Sequence, residues 1–287
     1  MPAKKAARKR TGKATAIRKV LVISDTHCGS SVALMPPGFV TDNGNEIKPN
    51  AIQEWLWQCW VHMIEEWVPE QTGTDPWALV INGDLVEGIH HHTTEIISSD
   101  FGDHLEIARL CYDLFNQIPN PPAKIFITIG TEVHTRNCET RIGRAIGAQK
   151  DISTGRYAFQ RLDLRVNGTH CAFRHHIGTT ARPYLEASQL SIHLGVEQLS
   201  AAKNDLPIPK VLGCAHRHKH GMFRDSSGMC FVTGPWQFLT RFGYKVVPAE
   251  LCKPSAVMLI FEDEGKLPID AEIIYEPKEI ARNIIVI

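Results

Sequence analysis

Three short apolar runs dominate the hydrophobic pattern of the first half of the chain. They span residues 19–24, 78–82 and 124–129, consist largely of Val, Ile, Leu and Ala, and each stops at a polar residue or a glycine. Continuous apolar runs of this length predict strands buried on both faces, as in a parallel sheet. We therefore expect three neighbouring strands in a buried sheet.

A different periodicity separates these runs. Apolar residues recur every three or four positions over residues 52–67 and 105–115, which predicts amphipathic helices. The alternation predicts a β-α-β-α-β unit with right-handed crossovers, in which the carboxyl ends of the strands lie at one edge of the sheet. The polar residues that follow the strands are then expected to share that edge.

The second half of the chain predicts a hairpin, a helix and further short strands. Residues 158–166 and 169–174 flank Asn167-Gly168, a turn pair typical of tight hairpins. A helical stretch follows over residues 184–203. Later strands are expected at residues 211–212, 229–233, 256–261 and 271–275.

Charge is distributed unevenly over the 287 residues. The net charge is zero, but the first twenty residues carry 8 of the 31 basic groups and no acidic one, which leaves 23 basic against 31 acidic residues in the rest. We predict a basic, disordered tail over residues 1–17 and a single net-negative domain over residues 18–287. The tail could alternatively contact nucleic acid, although the acidic body offers no broad basic face for duplex DNA.

Membrane and disulfide-rich classes do not fit this sequence. No apolar run approaches the roughly 18 residues of a membrane-spanning helix, and the N-terminus lacks the apolar core of a secretory signal. The eight cysteines occur without a C-x-x-C pair, which argues against a zinc ribbon and a disulfide framework. We expect a soluble, cytoplasmic protein with reduced cysteines and no membrane partner.

Five polar clusters follow predicted strands, and together they predict a metal site. Their carboxylates and imidazoles suit Mn²⁺, Fe, Zn²⁺, Ni²⁺ or Co²⁺ better than Ca²⁺ or Mg²⁺, which prefer oxygen ligands. A single Asp-x-His triplet is a weak signal, because Asp also caps helices and turns. The significance lies in the occurrence of five such clusters in order: Asp25-Thr26-His27, Gly83-Asp84, Gly130 to His134, His175-His176 and His216-Arg217-His218.

This order of motifs resembles the calcineurin-like metallophosphoesterase superfamily over about residues 20–220. The resemblance implies a four-layer α/β/β/α sandwich with two divalent metal ions at the strand ends, most simply Mn²⁺. It also implies that Asp25, His27 and His218 hold the first ion. Asp84 would bridge the two ions and so belong to the catalytic set, and His216 with His175 or His176 would hold the second.

The family's Gly-Asn-His motif appears in altered form as Gly130-Thr131-Glu132-Val133-His134. Thr131 or Glu132 would replace the asparagine that binds the second ion, and His134 would replace the catalytic histidine that serves the leaving group. Two further alternatives stay open at this point. His175 follows the strand directly and is preferred over His176, and the final pair is His216 with His218 or, in another register, His218 with His220.

The resemblance implies hydrolysis of phosphate monoesters or diesters by attack of metal-bound hydroxide. Nucleotides and nucleic acid are among the expected substrates, and a metal-dependent DNA nuclease is one alternative. A binding or scaffold protein that kept the fold and lost activity is another, because the change at Thr131 affects a metal ligand. The altered motif and the basic chain start also resemble phosphoesterases of phage or prophage origin.

Overall fold

Two five-stranded β-sheets lie face to face at the centre of the computed structural model, which describes residues 16–90, 92–135, 137–178, 185–246 and 252–277. The predicted tail lies almost wholly outside the described residues. The strands are β1 Lys19–Ile23, β2 Phe39–Val40, β3 Glu46–Ile47, β4 Trp77–Asn82, β5 Lys124–Thr128, β6 Leu162–Val166, β7 Thr169–Phe173, β8 Val211–Cys214, β9 Gly221–Arg224, β10 Met229–Val232, β11 Ser255–Ile260 and β12 Ile269–Ile274. The helices are α1 Ala51–His62, α2 Val68–Thr72, α3 Phe101–Gln117, α4 Glu132–Thr135, α5 Cys138–Ala145, α6 Glu186–Lys203 and α7 Arg241–Val246, and a π-helical segment, Met63–Trp67, joins α1 to α2.

Each sheet has a parallel centre. The first sheet has the order β12-β11-β1-β4-β5, and its strands β1, β4 and β5 pair in parallel. The second has the order β6-β7-β8-β10-β9, and its strands β7, β8 and β10 pair in parallel. The carboxyl ends of the parallel strands therefore form one edge in each sheet.

Strict alternation along β1 shows how the layers form. Val20 and Val22 belong to the core between the sheets, with Phe173 and Phe231 of the second sheet. Leu21, Ile23 and their neighbours face the other way and pack in a second core that includes side chains of α1, α3 and α5. Successive side chains of a strand point to opposite faces, so an all-apolar strand serves two cores.

The fourth layer is helix α6, which covers the outer face of the second sheet. Its Leu190 and Leu194 pack on Leu212 and Cys214 of β8. The predicted α/β/β/α sandwich is thereby confirmed. None of the described helices is both apolar enough and long enough to cross a bilayer.

Most predicted elements occur close to their expected bounds. The hairpin turn has Asn167 and Gly168 both at positive φ, +43° and +81°, as a two-residue type I′ turn requires. The sequence pattern missed the small β2–β3 hairpin, strand β9 and helices α4, α5 and α7. These elements are short, or alternate too weakly to produce a clear periodic signal.

A buried amide links the two sheets at their carboxyl edges. Asn82, the last residue of β4, donates from Nδ2 to the carbonyl oxygens of Arg174 (3.1 Å) and Gly213 (3.3 Å) in the second sheet. Its Oδ1 accepts from the hydroxyl of Thr128 at 2.7 Å. Because its side chain is fully buried, water cannot replace these bonds when the amide is removed.

We predict that Asn82→Ala lowers the free energy of unfolding by about 2–3 kcal/mol, because it leaves buried polar groups without partners. Urea denaturation followed by circular dichroism measures the change. Asn116→Ala, at an exposed position of α3, is the matched control and should shift stability by no more than about 0.5 kcal/mol. Equal effects of the two substitutions would contradict the role given to Asn82.

Candidate metal centre

Seven of the sequence-predicted site residues meet where the carboxyl edges of the two sheets come together. Four follow strands of the first sheet and three follow strands of the second. They are Asp25 and His27 after β1, Asp84 after β4, Thr131 after β5, His175 after β7, and His216 and His218 after β8.

The first group of possible metal ligands consists of Asp25, His27 and His218. His27 Nε2 lies 3.1 Å from His218 Nε2 and 3.9 Å from Asp25 Oδ1. His218 Nε2 lies 3.5 Å from the same carboxylate oxygen. Three ligand atoms from two sheets thus surround one point.

The second group consists of Asp84, His175 and His216. His175 Nε2 lies 2.9 Å from Asp84 Oδ2. The hydroxyl of Thr131 lies 3.0 Å from Asp84 Oδ2, 3.3 Å from His175 Nε2 and 3.1 Å from His216 Nδ1. Thr131 Oγ1 is therefore a fourth polar atom in contact with all three members of this group.

These spacings fit metal coordination. Ligand atoms that surround an ion tetrahedrally at about 2.0–2.1 Å are roughly 3.4 Å apart, and the separations in both groups range from 2.9 to 3.9 Å. Asp84 Oδ2 also lies 3.9 Å from His27 Nε2 of the first group. It is thus placed between the groups, as a bridging carboxylate would be.

The backbone at the ligands is strained. Nine described residues other than glycine have φ between +43° and +72°, and five of them are predicted ligands: Asp25, His27, Asp84, His216 and His218. Such conformations cost of the order of 1–3 kcal/mol each and persist where the surrounding structure enforces them. Their concentration here indicates that the strand ends are shaped to direct these side chains at one place.

One buried oxygen in the first group has no hydrogen-bond partner. Asp25 is fully buried, and its Oδ1 accepts no hydrogen bond. Its Oδ2 accepts from the Ser24 hydroxyl (2.5 Å) and from the backbone N–H of His216 (3.3 Å). An unpaired buried carboxylate oxygen is costly, and a cation at this point would satisfy it.

The second carboxylate is oriented by its neighbours. The Thr131 backbone N–H donates to Asp84 Oδ1 at 2.6 Å. Gly130 permits this approach, since a Cβ atom there would lie 2.2 Å from Asp84 Oδ1. The Gly83 position is equally tight, because a Cβ atom would lie 2.4 Å from His175 Nδ1.

Electrostatics at the centre favours a bound cation. Burial raises the pKa of Asp25, and the nearby Asp84 charge adds to the effect. Burial would also raise the pKa of Asp84, but the charges of His175 and His27 outweigh it and hold that pKa well below its usual range. Two buried carboxylates thus share one site, which positive charge stabilises.

The histidines differ in how they meet this field. Burial and the charges of neighbouring histidines both lower the pKa of His216, to about 4, and the pKa of His218, to about 3. Burial also acts against a charge on His175, but Asp84 and Asp25 raise its pKa to about 9. Its Nδ1 lies 2.8 Å from the Asn82 carbonyl oxygen; donation of the Nδ1 proton there directs Nε2 into the site.

Glu87 is a site residue that the sequence interpretation missed. It is buried, and its carboxylate lies 3.0 Å from His27 Nδ1 and 2.9 Å from His90 Nε2, while Gln237 Nε2 donates to it at 2.8 Å. Burial would raise its pKa, but the contacts with His27 and His90 hold it below its usual range. A carboxylate on the far nitrogen of a metal-binding imidazole orients the ring. The sequence signal was a lone carboxylate three residues after Asp84.

His134, the predicted catalytic histidine, lies beside the first group. Its ring centroid is 4.7 Å from that of His27, and its Nδ1 lies 2.6 Å from the Glu87 carbonyl oxygen. Burial and the charge of His27 lower its pKa, against the opposing effect of Asp84 and Glu87. His27, Glu87 and His134 form a third group of potential ligands, in which Glu87 faces His27 Nδ1 and not the Nε2 atom that lies near His218.

Two other predicted ligands belong to none of these groups, although the His176 ring centroid lies 4.3 Å from that of His216. Glu132 and His176 are exposed and line a neighbouring cavity, and neither belongs to any of the three groups found among the described residues. His220, the alternative to His216, contacts Ser255 and Glu272 instead. Of the alternatives left open by the sequence, His175 lies among the possible ligands and His176 does not. His216 and His218 also lie there, whereas His220 does not.

The cavity next to the second group has a volume of about 460 Å³. Polar side chains predominate in its lining, with Arg156 as its cationic side chain. The lining residues are Ile129, Gly130, Glu132, Asn137, Glu139, Thr140, Arg156, Ala158, Gln160 and His176. The cavity gives a substrate room beside the ligands.

Comparison with known proteins yields structural likeness alone. No protein-family model and no curated protein sequence matches the chain. Solved structures that align with it include Vps29 from Entamoeba histolytica complexed with Zn²⁺ (12% identity, TM-score 0.41, 90% of this chain and 99% of that one) and a novel archaeal phosphodiesterase (12%, 0.41, 89% and 99%). A predicted phosphoesterase from Streptococcus pneumoniae TIGR4 aligns at 12% identity and TM-score 0.32, over 90% and 97%. At such scores the likeness carries no conclusion about activity, and these descriptions lend no support to a phage origin.

Proposed function

We propose that this chain is a hydrolase of phosphate esters that uses two divalent metal ions, with a site of the calcineurin-like metallophosphoesterase type. The observation that carries the proposal is the shared carboxylate of Asp84, whose Oδ2 faces His27 of one ligand group and His175 of the other. Two ions bridged by one carboxylate are typical of enzymes that cleave phosphate esters.

The donor sets suit transition-metal ions. Asp25, His27 and His218 would hold the first ion, and His175, His216 and the Thr131 hydroxyl the second, with Asp84 between them. Mixed nitrogen and oxygen ligands fit Mn²⁺, Fe, Zn²⁺ or Ni²⁺, of which Mn²⁺ is our first choice. When bound, the ions would neutralise phosphoryl oxygens and lower the pKa of the attacking water molecule.

The protein's own groups position the substrate and manage protons. The strained strand ends and the bonds to Ser24 and Thr131 fix the two carboxylates before substrate arrives. His134 would exchange a proton with the leaving oxygen at Nε2 while its Nδ1 is held by the Glu87 carbonyl group. The cavity beside the second group would accept part of the ester.

The paired histidines provide the first test. Wild-type protein loaded with Mn²⁺ should retain two ions per chain and hydrolyse bis(p-nitrophenyl) phosphate. His175→Ala should lose an ion and at least about a hundredfold in turnover, since loss of an outer-shell partner alone costs 10–100-fold. Plasma mass spectrometry and the chromogenic assay measure both quantities.

His176→Ala is the matched control and should keep both ions, because its side chain is exposed. Equal loss in both variants would remove His175 from its assigned role. Wild-type protein with at most one ion and no hydrolysis in Mn²⁺, Ni²⁺ or Zn²⁺ would overturn the enzyme proposal in favour of a scaffold that has lost activity.

Thr131 tests whether its hydroxyl replaces the usual amide ligand. Thr131→Val keeps the shape of the side chain and removes the oxygen, so the second ion should bind roughly tenfold more weakly or worse while the first is unaffected. Titration calorimetry with Mn²⁺ resolves the two sites. Unchanged affinity at both would show that the hydroxyl is only a neighbour of the ligands.

His134 should act on turnover and not on metal content. His134→Ala is expected to lower turnover about a hundredfold, which is the lower end of the contribution that a general acid or base makes to the rate. Both ions should be retained. His92→Ala, at an exposed nearby histidine, should leave turnover unchanged. Joint loss of metal and turnover in the His134 variant would reassign this residue as a ligand.

A further inference from the structure

Helix α7 presents an unusual set of exposed side chains. Phe242 is 74% exposed and Tyr244 is 55% exposed. Arg241 and Lys245 on the same helix are also exposed. Exposed aromatic surface is costly in water, and an exposed apolar patch bordered by charged side chains is typical of an interaction site.

The two cations have no counter-ion within the part of the chain that the structure describes. Some other basic side chains do, as in the pairs Arg224–Asp270 and Lys253–Glu276, whereas the exposed Lys48 and Lys203 resemble the α7 cations in this respect. Among the described residues no carboxylate lies within ion-pair distance of the Arg241 guanidinium or the Lys245 amine, although Glu95 accepts a hydrogen bond from the Arg241 backbone N–H. In a body with an excess of acidic residues, this local positive charge is available to an anionic ligand.

Helical spacing places the cations and rings together. Arg241 lies three residues before Tyr244 and four before Lys245, so the three side chains are neighbours on one face. Phe242 likewise lies three residues before Lys245. The exposed surface of α7 therefore carries two aromatic rings between two positive charges on a single short helix.

The chain holds α7 next to the candidate metal centre. The Trp236 N–H donates to the Asp25 carbonyl oxygen at 2.9 Å, and Gln237 contacts Glu87 behind His27. Arg241 begins the helix four residues later, at most about 14 Å along the chain. The Arg241 N–H donates to Glu95 Oε2 at 2.9 Å, which fixes the helix start to the loop that follows Asp84.

We propose that α7 binds single-stranded nucleic acid and delivers its phosphodiester to the metal centre. Aromatic rings stack with unpaired bases, and interspersed cations contact the phosphates. A few nucleotides span the distance from α7 to the ligands. The inference rests on the proposed hydrolase function and specifies its substrate class.

Charge selects this occupant over the obvious alternative. A second copy of the chain would bring the same two cations against Arg241 and Lys245, which opposes self-association. Duplex DNA requires a broad basic face, whereas α7 offers only two cations. A flexible polyanion with accessible bases fits both the rings and the charge.

The test is the affinity of the full-length, Mn²⁺-loaded protein for a fluorescein-labelled oligothymidylate, measured by fluorescence anisotropy. The buffer contains no EDTA, and the measurement is made at low temperature so that binding is recorded before the strand is cleaved. Phe242→Ala and Tyr244→Ala should each weaken binding at least about fivefold. Tyr244→Phe should bind like wild type, and Phe242→Leu should not. The Ile192→Ala/Leu199→Ala double variant, which removes exposed apolar side chains of α6, is the control and should also bind like wild type.

The cations have their own readout. Binding to single strands weakens with salt in proportion to about 0.7 per phosphate neutralised. Arg241→Ala/Lys245→Ala should therefore reduce the slope of log K against log salt by about 1.4. An unchanged slope would overturn the phosphate contacts.

Hydrolysis of bis(p-nitrophenyl) phosphate separates the two proposals, since this small diester does not need α7. Unchanged hydrolysis in every α7 variant, with weakened oligonucleotide binding, is the expected result. If the wild-type protein fails to cleave the small diester, the hydrolase proposal is wrong. The anisotropy measurements still test whether α7 binds single-stranded nucleic acid. Oligonucleotide binding that is unaffected by the α7 substitutions would overturn the inference. So would α7 variants whose oligomeric state in size-exclusion chromatography differs from that of the wild-type protein, because α7 would then bind a second copy of the chain.

Discussion

The burial of two carboxylates close together is the constraint on which this structure depends. Asp25 and Asp84 are within a few per cent of full burial, and their mutual repulsion away from bulk solvent must be offset by hydrogen bonds and positive charge. The surrounding features serve that need. Donors from Ser24 and Thr131 orient the oxygens, imidazoles surround them, and one oxygen of Asp25 remains unpaired for a cation.

Much of the fold follows from periodicity along the sequence. Apolar strands such as β1 and β4 must be covered on both faces, and the helices between them have one apolar stripe each, so layers of helix and sheet are the economical arrangement. The edge that carries the site follows from parallel pairing. Of the two histidines that follow β7, His175 is buried among the possible ligands and His176 lies exposed, a difference of one residue that the sequence pattern does not determine.

Other features depend on distances that no local pattern encodes. Glu87 reaches His27 because the segment after Asp84 runs parallel to residues 27–28, to which it is joined by backbone hydrogen bonds. Thr131, and not Glu132, meets the ligands because α4 begins at Glu132 and carries that side chain outward. The aromatic character of α7 is visible in the sequence, but its proximity to the site comes from backbone bonds between segments far apart in the chain.

The ligand groups draw on both sheets. Asp25, His27 and Asp84 extend from the first sheet, whereas His175 and His218 extend from the second. An ion held at either group would therefore act as a cross-link between layers that also adhere through apolar contact and through polar bonds such as those of the Asn82 amide. The residues that would bind metal are therefore also residues that would hold the two sheets together. The concentration of available metal would then affect the thermal stability of the fold as well as its activity.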